Sequence, residues 1–501
     1  MSCLKKINLC LVLLVSTFAS AQTNNSFLER SFWKTNPTIP AVEQKIKEGN
    51  DVTQLNSYGF DGVTYAILED APLATLKHML TKEGNGVNKL THDGRTYIFW
   101  AAYKNNIDLV KHLLQARART DIRDDHSNTI ALFAAGAGNT NAELYDILAQ
   151  HGADLSNETT KNGANILLLA APHVKDLSEL DYFVSKGMSL QSTDTAGNGI
   201  FNYVAKTGNA NLLDALIEKG VAYKELNKEK GNAMLFASQG TRGTTNGLEV
   251  YQYLESKGIN PNVTTTEGVT PLHTLAYRSD DKAVLNYFIK KGVDVNQANE
   301  EGNTAFMNAA SANNMEIVTL LAEKVTDINH TNKKGQSALS LAVANNTAEV
   351  VAYLLKNGAD ASVTDTNGNT LAYYVMDGYS SKEATDFNKK LTLLKQNNVS
   401  LTTLQEKDNS LYHLAVAKNN VDLLKLVVKM ADKKQLQQKN ADGLTPLHLA
   451  AMKAKNDTIL KYLLSLGADK NVVTDFEETA YDLASENEQL EANNIDLNFL
   501  K

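Results

Sequence analysis

The sequence predicts an all-α solenoid, about a dozen helix-turn-helix units joined by short β-hairpin loops. Three observations predict it. Glycines recur with a spacing close to 33 residues, pairs of alanines follow them at a set distance, and apolar pairs four residues apart come next. At 501 residues, length alone suggests three globular domains. The repeat replaces that expectation with one array stabilised by neighbour-to-neighbour packing.

Each element of the unit has a physical reason. A glycine after a small polar or charged residue stands at Gly62, Gly94, Gly163, Gly197, Gly231, Gly268, Gly302, Gly335, Gly368 and Gly443, at intervals of 32, 69, 34, 34, 37, 34, 33, 33 and 75. The two long intervals are double periods, with Ser127 and Asn409 in the vacant slots. Glycine at a hairpin tip supplies the positive φ that a side chain resists. Thr270 and Thr445 then suit a helix N-cap, and Pro271 and Pro446 suit the first helical position. Ala101-Ala102, Ala134-Ala135, Ala170-Ala171, Ala309-Ala310 and Ala450-Ala451 allow close approach of stacked first helices.

The first helix is expected to end in a left-handed Gly or Asn cap, at Asn105-Asn106, Gly138-Asn139, Gly208-Asn209, Asn313-Asn314, Asn345-Asn346 and Asn419-Asn420. The second helix carries one apolar stripe, as in Leu109-Val110 with Leu113-Leu114, Ile317-Val318 with Leu320-Leu321, Val350-Val351 with Leu354-Leu355, and Ile459-Leu460 with Leu463-Leu464. It stops at turns such as Gly152-Ala153-Asp154, Gly358-Ala359-Asp360 and Gly467-Ala468-Asp469.

Thr270-Pro271-Leu272-His273 and Thr445-Pro446-Leu447-His448-Leu449-Ala450-Ala451 resemble the T-P-L-H-L-A-A signature of the ankyrin-repeat family. Weaker copies run Thr96 to Ala102, Thr304 to Ala310 and Ser410 to Ala415. The resemblance covers roughly residues 32–487. It implies that His273, His413 and His448 bond the helix-starting residue and nearby backbone, a structural role. Phe99, Met307, Ser340 and Tyr373 fill the same slot elsewhere, so the histidine is not a repeated catalytic feature.

The ends differ from the units between them. Residues 1–21 have basic Lys5 and Lys6, an apolar run from Ile7 to Phe18 and then Ala19-Ser20-Ala21. This is a secretory signal-peptide pattern, with cleavage expected between Ala21 and Gln22. Cys3 and Cys10 lie too early for a lipoprotein site. Cleavage removes both cysteines of the chain, excluding thiol chemistry and disulfides, and losing Lys5 and Lys6 takes the net charge from −8 to −10. Residues 22–59 are expected to form an N-terminal segment and capping half-repeat, with Phe32, Trp33 and a lone second helix after Ala41. The array is expected over 60–473. Residues 474–501 are expected to be a capping repeat and tail, in which Thr479 to Ala484 lacks an apolar successor and Glu486, Glu488 and Glu491 make a polar terminal face. Extra residues at Gly240–Gly247 and Asp377–Asn388 fall between the two helices of a unit and are expected to be loops.

The residues exclude most chemistry. The acidic balance disfavours nucleic acid. The Gly-rich insertion at 240–247 lacks a Gly-Lys-Ser/Thr ending. No His-Glu-x-x-His or Gly-x-Ser-x-Gly occurs, and Glu300-Glu301 sit at an exposed tip, not in the desolvated cleft a general acid needs. No catalytic residue, cofactor or metal is expected, and the repeats leave no room for a separate enzyme.

The resemblance implies a concave surface of hairpin tips and first-helix exits that binds protein. The expected contact residues are Tyr103, Lys104, Glu267, Tyr277, Arg278, Glu300, Glu301, Lys333 and Lys334, with Tyr103, Tyr277 and Arg278 foremost because Tyr and Arg are favoured hot-spot types. His92, Arg95, Gln336 and Met452 are in the same register. The expected function is an exported protein–protein interaction scaffold, monomeric, without stable membrane insertion. Alternatives are a dedicated inhibitor, immunity or stress-protective partner of an envelope or secreted enzyme, and an enzyme or small-ligand carrier. The signal segment looks bacterial, which favours the periplasm over the cell surface or the medium.

Overall fold

The computed structural model describes residues 25–501, and the signal segment with Ala21 and Gln22 lies outside them. The described chain is helical throughout, with isolated β-bridges and no strand among the described residues. It forms two compact units, divided between Thr195 and Ala196. That division is far from the insertion at Asp377–Asn388.

Both units are built from paired helices. First helices are short and almost wholly buried: every residue from Tyr97 to Ala102 in Tyr97–Tyr103 is buried. The alanine pairs explain this. Ala101, Ala102, Ala134, Ala135, Ala309 and Ala310 are all fully buried, so neighbouring helices approach with only methyl groups between them. Second helices are amphipathic. Ile107–Gln115 buries Leu109, Val110 and Leu113, and Ala348–Lys356 buries Val350, Val351 and Leu354. Each such side chain contributes about 1.5–3 kcal/mol on burial, so stability accumulates repeat by repeat.

The hairpins are turns, closed by at most one bridge such as Thr331↔Ser337. Successive tips are tied by backbone bonds. In the first unit Asp125 N–H donates to Asp93 O (2.9 Å) and Thr195 N–H to Asn162 O (2.9 Å). In the second, Glu300 donates to Glu267 (2.6 Å), Lys333 to Glu301 (2.9 Å), Thr366 to Lys334 (2.9 Å) and Ala441 to Lys407 (2.8 Å). Gly302 (φ 81°) sits so close to the next tip that a Cβ there would lie 2.9 Å from Asn332 Cα. At this tip glycine is thus favoured twice over, for its φ and for its missing side chain.

Two of the six first-helix exits depart from the expected left-handed cap. Asn105 (φ 54°), Gly138 (φ 87°), Gly208 (φ 64°) and Asn419 (φ 47°) are left-handed. Asn313 (φ −106°) and Asn346 (φ −116°) are extended. Their amides reach back one repeat instead. Asn313 Nδ2 donates to Ala276 O (2.7 Å) and Ser279 O (2.8 Å), and Asn346 Nδ2 to Ala310 O (3.0 Å) and Asn313 O (2.8 Å). Asn139, Asn246 and Asn487 make the same kind of bond. These satisfy carbonyls orphaned at a helix end. Asn313→Ala is expected to cost about 2 kcal/mol, because two carbonyls lose their donor. Urea unfolding of the second unit, followed by hydrogen exchange across 270–320, measures it.

A second inter-repeat device lies on the outer helices. Tyr182 Oη (2.8 Å) and Lys186 Nζ (2.9 Å) both reach Asp146 of the preceding second helix. Tyr253 (2.7 Å) and Lys257 (2.6 Å) do so with Asp214, and Tyr287 (2.9 Å) with Lys291 do so with Glu255. His78 and Lys82 clasp Glu43 in the same way. Residues four apart share a helix face, so Tyr-x-x-x-Lys presents both groups to one carboxylate.

The remaining departures are local. The insertion at Asp377–Asn388 is not only a loop. It holds a 3-10 turn, Ser381–Glu383, and lengthens the following helix, Ala384–Gln396, to 13 residues. Phe387, Lys390, Leu391 and Leu394 make its buried stripe, and Asp386 caps the preceding second helix at Ala348 N–H (2.8 Å). The insertion at 240–247 is a tight turn bridged at Thr241 and Thr244. At the C-terminal end a short successor helix exists, Glu488–Ala492, burying Leu490. At the N-terminal end Trp33 is fully buried and donates to Phe27 O (2.9 Å).

Candidate partner-binding site

The three signature histidines are cap elements. His273 Nδ1 accepts from Thr270 N–H (3.1 Å) and its Nε2–H donates to Asn303 O (3.1 Å). His413 bonds Ser410 N–H (3.1 Å) and Leu444 O (2.9 Å), and His448 bonds Thr445 N–H (3.1 Å) and Val472 O (2.8 Å). Each ring thus closes its own helix start and holds the following repeat. Burial pushes all three below the usual imidazole range, His413 to about 4. Neutral, buried and doubly bonded rings are not free for proton transfer. Among the described residues no group of three or more His, Cys, Asp or Glu side chains could hold a metal ion.

Tyr103 and Lys104 belong to the first unit. Tyr103 is 37% exposed, and its ring stacks on Phe133 with centroids 5.3 Å apart. Lys104 pairs with Asp70 (2.7 Å). Beside them run Phe60, His92, Trp100 and Phe133, ring against ring on successive repeats. Arg95 is not a surface residue. It is buried, lies over Phe133 (4.2 Å) and pairs with Asp124 (2.8 Å) and Asp93 (3.1 Å). Burial pushes the Asp93 carboxyl up, but His126, His92 and Arg95 outweigh it and hold the group below its usual value.

The other seven expected residues belong to the second unit. Tyr277, Glu301 and Lys334 meet at one groove of about 220 Å³, floored by Asn303, Asn308, Ser311, Asn332, Gln336 and Leu341. Tyr277 is 57% exposed there. Arg278 points elsewhere, its Nη2 donating to Thr241 O (2.8 Å) and pinning the 240–247 turn. Glu267, Glu300 and Lys333 are exposed on the same tips. Of the amide and hydroxyl floor, sequence reasoning named Gln336 and missed Asn303, Asn308, Ser311 and Asn332. Asn308 and Leu341 occupy the inner-face position of the first helix held by Trp100 and Phe133 in the first unit, and that register was the signal for them.

Comparison with known proteins fixes the family. The family model described as ankyrin repeats (3 copies) matches residues 63–160, 98–194, 242–332, 272–365, 380–474 and 412–494. The chain belongs to the ankyrin-repeat family. Relatives include the phosphocholine transferase AnkX of Legionella pneumophila, 26% identical over 219 residues, covering 42% of this chain and 21% of that protein. A putative ankyrin repeat protein of fowlpox virus, FPV031, is 31% identical over 164 residues, covering 31% of this chain and 47% of that protein. This chain therefore spans less than half the length of either relative. Among solved structures, the human ASB11 ankyrin repeat domain aligns with TM-score 0.38 and 22% identity, covering 46% of this chain and 98% of that domain. Ankyrin repeats are protein-interaction modules and typically non-catalytic. Among the described residues no helix is long and apolar enough to cross a membrane.

Proposed function

We propose that this protein is an exported scaffold that binds a protein partner on the face built from hairpin tips and first helices, without catalysis of its own. One observation carries the proposal. Tyr277, Glu301 and Lys334, chosen by register alone, line a single groove with Tyr277 largely open to solvent. The tips are held by backbone bonds, so a partner meets a preformed surface and little ordering entropy is lost on binding. The signal-like segment ending at Ala21 supports export, with the periplasm as the proposed compartment.

Affinity capture of the full chain from its own cell envelope, followed by mass spectrometry, tests the scaffold. The recovered chain should begin at Gln22. Tyr277→Ala should weaken the captured partner at least about tenfold, or about 1.4 kcal/mol. Unchanged affinity would remove this patch, and recovery of the uncleaved N-terminus would remove the export proposal.

A further inference from the structure

We infer that the Tyr277 groove takes an extended polypeptide segment whose charges are segregated, basic residues over Glu267, Glu300 and Glu301 and acidic residues over Lys333 and Lys334. This rests on the scaffold reading above and adds the chemistry of the partner.

The protein leaves five charges on these tips unneutralised. Three consecutive tips carry Glu267, then Glu300 and Glu301, then Lys333 and Lys334, all exposed. None of the five is in an ion pair among the described residues. Proximity is not what is missing. Lys333 N–H bonds Glu301 O (2.9 Å), so the acidic and basic tips are direct neighbours. Further along the same unit adjacent tips do neutralise each other, Lys407 with Asp442 (3.3 Å) and Lys439 with Asp475 (3.0 Å). Here Glu301 and Lys334 instead flank the groove beside Tyr277. Solvated charges in a fixed order attract a partner carrying the opposite order and repel a uniform polyanion or polycation.

The groove decides the class of partner. At about 220 Å³ it is smaller than a drug-sized ligand site of roughly 300–1,000 Å³, but ample for one side chain. Its floor of amides and a hydroxyl suits the N–H and C=O groups of an extended backbone, and Tyr277 supplies an apolar ring with a polar tip. Neighbouring helices pack about 8–10 Å apart, and an extended chain advances about 3.3 Å per residue. The basic and acidic groups of the partner are therefore about three residues apart, in either chain direction.

The test uses two fluorescein-labelled synthetic peptides of equal composition and the full chain. One has two lysines, a three-residue spacer with a central leucine, and two glutamates; its isomer alternates lysine and glutamate. Fluorescence anisotropy at low salt should show the segregated peptide binding at least tenfold more tightly. The preference should vanish in the Glu300→Gln, Glu301→Gln, Lys333→Gln, Lys334→Gln variant, whose exposed side chains leave Tm unchanged. Equal binding of the two peptides, binding of neither, or a preference surviving in the variant overturns the inference. Envelope capture separates the two readings. A stoichiometric partner held equally by full chain and variant sinks the charge inference alone, whereas no partner for the full chain sinks the scaffold.

Discussion

Replacing Asp124 by Ala is expected to destabilise the first unit by about 3 kcal/mol, because a buried guanidinium loses its buried carboxylate partner. The Asp124 side chain is fully buried and that of Arg95 is 8% exposed. Arg95 Nε (2.9 Å) and Nη2 (2.8 Å) both reach Asp124 Oδ2, while Oδ1 accepts the turn N–H groups of His126 (3.0 Å) and Asn128 (2.8 Å). Without the carboxylate the guanidinium keeps Asp93 and the Phe133 face, and the turn loses its acceptor. Asp124→Asn should cost less, since an amide oxygen can still accept from the turn. Both tryptophans of the chain, Trp33 and Trp100, lie in this unit, so fluorescence-detected urea unfolding reports on it selectively. A shift below about 1 kcal/mol would place the pair among those that contribute little.

Acidification is expected to loosen the second unit around His413. Its folded pKa is about 4 against 6.5 in the unfolded chain, because burial penalises the charged ring. Between those values the unfolded state binds more protons, so stability is full above about pH 6.5 and falls as pH drops toward 4. The shift corresponds to about 3 kcal/mol at its limit. His273 and His448 are shifted in the same direction and steepen the slope. Hydrogen exchange over 405–450 at pH 7.5 and 4.5, corrected for intrinsic rates, should show faster opening at the lower pH. His413→Gln should flatten that dependence; an unchanged slope would assign the effect to other groups.

Much of the architecture is legible from residues with one dominant use. Glycine at a tip and alanine at a helix crossing have few alternatives, so Gly302 and Ala309-Ala310 announce their positions. Asparagine does not. Asn105 and Asn313 occupy equivalent slots, yet one adopts a left-handed cap and the other lends its amide to the preceding repeat. Local preference cannot separate these, because the choice depends on carbonyls more than 30 residues earlier. The Tyr-x-x-x-Lys clasps are hidden for the same reason: Asp214 means nothing to Tyr253 until the helices stack. Arg95 shows the limit at the surface. Its tip register predicts exposure, but Asp124 and Phe133 on the next repeat enclose it. At the groove, Tyr277, Glu301 and Lys334 are legible by register, whereas Arg278 is diverted by the inserted turn, whose position no periodicity encodes.

The clasps and the asparagine bonds share one property: each joins a repeat only to its immediate neighbour. Within a unit, the chain is thus written in interchangeable words. A duplicated copy of residues 231–267 would arrive with its own glycine, Gly231, its own reaching amide, Asn246, and its own carboxylate for the next clasp, Glu255. Loss of one whole period would rejoin compatible ends. Length is therefore a trait that copying errors in the gene can lengthen or shorten in single steps, while the tips between the helices remain free to diverge toward whatever they bind.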